Sequence, residues 1–114
     1  MSSLGYVPKA ADLVWIDYSS QALDEYKQRI LGFVVSPQAY NIKTGRVVIC
    51  SVSGDQTGYP FEVALPKSCE LTGVILSDHV SSINWHTYKL SLVTTLDQVT
   101  FEEVSSRLGA LFDI

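Results

Sequence analysis

Gly58-Tyr59-Pro60-Phe61-Glu62-Val63 is the stretch from which the fold of this chain can be read. Gly58 releases the backbone from the polar segment Asp55-Gln56-Thr57. From Tyr59 to Leu65 the pattern then alternates. Phe61, Val63 and Leu65 point one way, Glu62 and Ala64 the other, as in a half-buried strand. Pro60 has no amide proton to give to a ladder, so the strand lies at a sheet edge or starts at the proline. Aromatics pressed between a glycine and a proline suit a shaped surface as well as a core.

Upstream, residues 13–18 (Leu-Val-Trp-Ile-Asp-Tyr) are β-branched and aromatic and predict a first strand. Residues 19–28 form a polar connection of about ten residues, a length that in compact domains usually marks function or mobility. Residues 30–35 are apolar on both faces, which suits a central strand. Ser36-Pro37 reads as the N-cap and first position of a one-turn helix over 38–40, closed by a turn at 41–45. Residues 46–53 predict the third strand. Downstream of an irregular stretch at 66–72, residues 74–76, 80–83 and 85–92 predict three further short strands. Thr100-Phe101-Glu102-Glu103 has the form of a capping box, with Val99 set to staple against Val104. Phe101, Val104, Leu108 and Leu111 would form the docking face of that last helix. Short strands at close intervals with one terminal helix predict an α+β domain, mainly β, built as a small antiparallel barrel.

A chain of 114 residues suits one domain spanning 1–114, with a core that needs no staples. It is 46% hydrophobic and 18% charged, and no apolar run reaches the ~20 residues that cross a bilayer. Met1-Ser2-Ser3-Leu4-Gly5 lacks the basic and apolar regions of a signal peptide, so a cytoplasmic location is expected. Cys50 and Cys69 are too few for a disulfide framework and too sparse for a metal site. Cys50, inside an apolar run, is expected as a reduced core residue. The net charge of -4 argues mildly against a nucleic-acid partner, but a basic groove could still assemble on folding or at a subunit interface.

Three blocks carry a family resemblance: Tyr40-Asn41-Ile42-Lys43-Thr44-Gly45, Gly58-Tyr59-Pro60-Phe61-Glu62-Val63, and the run from Gly73-Val74-Ile75-Leu76-Ser77-Asp78-His79 to Ile83-Asn84-Trp85. In residues and spacing they resemble the MazF/PemK toxin family, from Tyr6-Val7-Pro8 to the last helix. The resemblance implies an SH3-like barrel, a homodimer, and the toxin of a type II toxin–antitoxin pair. It also implies an endoribonuclease that cuts single-stranded mRNA through the RNA's own 2′-hydroxyl, with no cofactor or metal and with no membrane involved. The implied protein partner is a cognate antitoxin that lays an extended C-terminal segment across the RNA site. The alternative is a weakened relative that dimerises and binds antitoxin or RNA without cutting. A gyrase poison on the same barrel has only fold analogy behind it.

Cleavage of this kind needs a base for the 2′-hydroxyl, an acid for the leaving oxygen, and positive charge at the phosphorane. Family members carry Glu-Gln-x-Gly-x-Arg-Pro before the second strand. Here the segment reads Asp24-Glu25-Tyr26-Lys27-Gln28-Arg29-Ile30-Leu31, with Ile30-Leu31 where Arg-Pro belongs and Arg29 one position early. The resemblance therefore implies Glu25, Arg29 and Ser53 as the catalytic set. Ser51, Tyr59, Phe61, Asp78 and His79 are the expected substrate contacts, with the two aromatics able to stack on bases. Each has a plain structural reading beside it: Ser53 bonding its own loop, Asp78 capping a turn, Phe61 in the core, His79 and His86 solvated. Trp85 is expected to pack, and Lys43 and Arg46 to lie in solvent.

Overall fold

The computed structural model describes residues 5–18 and 29–113. Six strands and two helices follow in the order β1 (Asp12–Asp17), β2 (Arg29–Val34), α1 (Gln38–Thr44), β3 (Arg46–Ser53), β4 (Glu62–Ala64), β5 (Val74–Asn84), β6 (Lys89–Thr95) and α2 (Gln98–Leu111). All neighbouring strands are antiparallel, in the spatial order β4-β5-β3-β2-β1-β6. This is the expected α+β, mainly β, SH3-like barrel, left open between the end strands β4 and β6. β2 has a neighbour on each side, and β4, with Pro60 just ahead of it, is an edge strand.

The largest departure from the sequence reading is β5. Residues 74–76 and 80–83 are not two strands but parts of one, running eleven residues without a break. It first pairs with β4 and the end of β3 (Leu76 with Glu62, Ile75 with Val52), and later with the start of β3 (Val80 with Cys50). Leu76, Ser77, Asp78 and His79 thus stand opposite the single residue Ser51. Such a bulge bends the strand, and here it turns Ser77 inward and leaves His79 exposed. Residues 85–88 are a turn rather than strand, because the Asn84 side chain accepts from the amides of His86 and Thr87 and turns the chain.

Smaller corrections have local causes. α1 continues through Asn41 to Thr44, and Gly45, at φ 71°, closes it. Ser36 does not cap it: its hydroxyl donates to the Asn41 side chain and accepts from the Val48 amide. α2 starts earlier than the capping box implied, since the Asp97 carboxylate accepts from the Thr100 amide. Val99 is therefore 68% exposed and staples nothing, and Leu111 is exposed as well. β4 is shorter than 59–65, although Val63 and Leu65 are buried and Ala64 is exposed, as the alternation required. The connection 19–28 lies outside the described residues.

Two apolar clusters occupy the two sheet faces. Leu13, Phe33, Cys50, Val63, Ile75 and Leu96 pack with Val104 and Phe101 of α2. Val14, Ile16, Val34, Val47, Ile49 and Ile83 pack beneath Tyr6, Trp85 and Tyr88. Cys50 is a fully buried free thiol, pushed up to about 11 by burial and by the nearby Asp78. At the start of β1 the fully buried Asp12 carboxylate receives the Tyr6 hydroxyl, the Lys9 amide and ammonium, and the Thr95 hydroxyl. Burial alone would raise its pKa, but these bonds outweigh burial and hold it below the ordinary carboxylate value. The knot ties residues 6–9 to β1 and β6.

Burial and the Asp12 bond raise the Tyr6 pKa far above that of a free phenol. The folded state therefore holds the Tyr6 proton more tightly, so its contribution to stability is complete below the unfolded pKa of about 10 and declines above it. Urea midpoints measured from neutral to strongly alkaline pH should fall steeply past about pH 10. Tyr6→Phe should be less stable at neutral pH by about 1 kcal/mol and should lose much of that alkaline dependence; an unchanged profile would remove Tyr6 from the knot.

Candidate functional site

The ends of β2 and β3 border a cleft of about 350 Å³ lined by Trp15, Arg29, Ile30, Leu31, Val52 and Ser53, with the 71–72 segment across from them. Its layout follows from register. Leu31 pairs with Val52 and Trp15, and Arg29 with Asp17, so Arg29, Leu31, Val52 and Trp15 share one face. Ile30 alternates to the other face with Gly32 and is 37% exposed. The Arg29 guanidinium carbon lies 4.3 Å from the centre of the Trp15 ring, a cation–π stack. The cleft thus combines an apolar floor, a stacked cation and a serine hydroxyl.

Ser53 is held from two sides. Its hydroxyl accepts from the Asp55 amide at 3.1 Å, the local bond that strand-end serines commonly make. Its carbonyl is crowded by Gly73, whose φ is 147°; a Cβ there would stand 2.5 Å from the Ser53 oxygen. Only glycine fits so near the neighbouring backbone.

A second group surrounds the bulge of β5. The Tyr59 hydroxyl donates to Asp78 Oδ2 at 2.6 Å, and its ring lies 5.8 Å from that of Phe61. That hydrogen bond, with a smaller effect of burial, raises the Tyr59 pKa above the usual phenol value. Among the described residues Asp78 Oδ1 is buried without a hydrogen bond, and His79 Nε2 stands 3.9 Å from it. The loop before β4 is shaped by Glu62, whose carboxylate accepts from the Thr57 amide and hydroxyl and from the Gly58 amide. The Thr57 hydroxyl bond, ahead of the amide bonds, keeps Glu62 below the usual carboxylate range. Arg107 of α2 donates to the Pro60 carbonyl from the other side.

Of the expected residues, the fold brings Arg29 and Ser53 to one cleft, and Tyr59, Phe61, Asp78 and His79 to the bulge. Ser51, half-buried and paired with Gly32, lies opposite that bulge. Glu25 lies outside the described residues. His86 is not near His79: it stacks on Trp85 at 3.9 Å, while the Trp85 indole donates to the Asn41 carbonyl. Trp85 packs, as expected. Arg46 binds Ser82 at the surface. Trp15 and Glu62 were missed. Trp15 was legible as a strand residue, but its place beside Arg29 depends on the β1–β2 register, which the sequence does not state.

The molecule is thus a small open barrel with a cation and a hydroxyl bordering one cleft at the ends of adjacent central strands. Residues 9–112 match the family described as PemK-like, MazF-like toxin of type II toxin–antitoxin system, and the chain belongs to it. It is 32% identical over 106 residues to the endoribonuclease toxin MazF of Escherichia coli K12, covering 93% of this chain and 95% of that one. MazF in a MazE–MazF crystal structure from Deinococcus radiodurans superposes with a TM-score of 0.86 at 37% identity, over 96% and 99% of the two chains. MazF alone from the same organism gives 0.83 at 38% identity, with the same coverage. A mycobacterial endoribonuclease at 17% identity, covering 96% and 94% of the two chains with a TM-score of 0.77, shares the fold. Among the described residues, no helix is long and apolar enough to cross a membrane.

Two substitutions test the site's construction. Gly73→Ala forces a clash with the Ser53 carbonyl, and it should cost about 1–3 kcal/mol in urea unfolding and shift the Ser53 and Gly54 amide resonances. Asp78→Ala removes the acceptor from the Tyr59 hydroxyl. Absorbance titration of tyrosinates should then show one phenol ionising at lower pH, a change absent when Tyr59→Phe is already present.

Proposed function

We propose that the chain is a metal-independent endoribonuclease that cuts single-stranded RNA by attack of the 2′-hydroxyl on the adjacent phosphorus. The step closes a cyclic phosphate and expels the next nucleotide's 5′-oxygen, which takes up a proton. In this reading Arg29 faces the charge that builds on the phosphorane, and Ser53 donates to a non-bridging oxygen. Glu25, four residues before Arg29, receives the 2′-hydroxyl proton. Ser51, Tyr59, Phe61, Asp78 and His79 contact the neighbouring nucleotides. The protein works in the cytoplasm as a homodimer, held in check by an antitoxin tail laid over the same groove.

The observation that carries this reading is the cleft lined by both Arg29 and Ser53. The likeness to the E. coli endoribonuclease over nearly the full length of both chains supports it. A second reading has its own support. Ile30 stands where the family has arginine, and Arg29 is stacked on Trp15. That arrangement favours a relative that binds RNA or antitoxin without cutting.

Incubation of the purified protein with a long single-stranded RNA in excess chelator separates the two. Cyclic-phosphate ends are expected, at a rate about 100-fold or more lower in Arg29→Ala, the usual cost of removing one group that stabilises transition-state charge. Equal cutting by both proteins would take Arg29 out of the mechanism. No cutting by the unaltered protein would leave the binding reading.

A further inference from the structure

Trp15 and Arg29 form a wall between two openings. On one side lies the cleft with Ser53; on the other lies a second opening of about 240 Å³, lined by Trp15, Asp17, Arg29, Lys89 and Ser91. Register accounts for the layout. Asp17 pairs with Arg29 across one edge of β1 and with Lys89 across the other, while Trp15 pairs with Leu31 and Ser91. β2, β1 and β6 therefore present a row from Arg29 to Lys89 on one face, while Ser53, on the other face by the same alternation, meets it only at the end of β3. With strands about 4.8 Å apart, Lys89 stands about 14 Å across the sheet from β3, more than one nucleotide needs. Arg29, Lys89 and Ser91 are exposed and Trp15 is half-buried.

We infer that this second opening is a subsite for a nucleotide of single-stranded RNA next to the cleavage position, with Lys89 meeting a phosphate and the Trp15–Arg29 stack serving as a flat wall for the base. The inference takes its ligand from the proposed ribonuclease reading. Flat aromatic and guanidinium surfaces are what unstacked bases pack on. The charge pattern fits as well: cation, carboxylate, cation across β2, β1 and β6 suits phosphates at the two ends and a neutral base between. The site also supplies cations in a chain whose net charge is -4.

Binding of non-cleavable 2′-O-methyl oligonucleotides tests this without relying on cleavage. Trp15 fluorescence, in a Trp85→Phe background, reports it. For an oligonucleotide several residues long, Lys89→Ala should make the slope of log K against log salt shallower by about 0.7, the share of one phosphate on a single strand. Lys89→Arg should restore it. A dinucleotide, too short to fill both openings, should bind Lys89→Ala and the unaltered protein alike, whereas Arg29→Ala should weaken both ligands. An unchanged slope in Lys89→Ala would overturn the subsite and leave the ribonuclease reading standing. Absence of any oligonucleotide binding to the unaltered protein would overturn both. Loss of binding to an acidic apolar peptide in Lys89→Ala, with oligonucleotide binding intact, would overturn the subsite in favour of a polypeptide at this opening.

Discussion

One strand serving two partners is the constraint on which the molecule depends. β5 pairs with β4 and the end of β3 through its first residues and with the start of β3 through its last. Between them, Leu76 to His79 find no room in the β3 ladder. A flat sheet would tolerate no such excess; the chain absorbs it by bending, and the bend curls the sheet toward a barrel. The same bend decides what is exposed. Ile75 and Val74 go into the core, Ser77 turns inward, His79 emerges, and Asp78 stays largely covered, bonded to Tyr59 of the preceding loop. Fold and candidate site thus share one cause.

How much of this was legible follows from where the physics is local. β1, β2 and β3 are runs of β-branched and aromatic residues whose preference needs no partner, and 46–53 matched β3 end to end. Gly-Tyr-Pro-Phe gave away an edge strand because proline withholds its amide proton whatever lies beside it. Several of the failures involve a side chain whose role is set by a distant residue. Asn41 looks like a turn residue, yet it sits buried in α1, donating to the Pro8 and Ser36 carbonyls. Ser77-Asp78 looks like a strand break, yet the Ser77 amide and hydroxyl both donate to the Phe61 carbonyl and carry the chain on. Thr100 looks like an N-cap, but Asp97, three residues earlier, caps the helix first by accepting from the Thr100 amide. That last signal was in the sequence, since aspartate is as good a cap as threonine.

The candidate site divides the same way. The residues came from the family pattern, but their grouping came from register. Arg29, a residue early against that pattern, lands on the Trp15 face rather than the Ile30 face because alternation permits nothing else in a regular strand. What keeps it at the cleft is that β2 begins at Arg29, where a side chain at the strand end can reach along the rim as well as across the face.

Stacking on Trp15 does not take Arg29 out of use. A guanidinium is planar, and its five N–H donors lie in that plane and point outward, so contact of its carbon with a ring leaves donors for another partner. A phosphate binds through those edge donors, so both contacts can exist at once. The magnitudes agree. A partly exposed cation–π contact contributes about 0.5–1 kcal/mol, enough to bias the rotamer and too little to compete with a charge-assisted pair to phosphate worth about 1.5–3 kcal/mol. The indole also trims the rotamer freedom that a long side chain would otherwise lose on binding, which is about 2 kcal/mol for arginine. In the proposed reaction, then, the one-residue displacement leaves the cation beside Trp15 and on the rim of the cleft that Ser53 also lines.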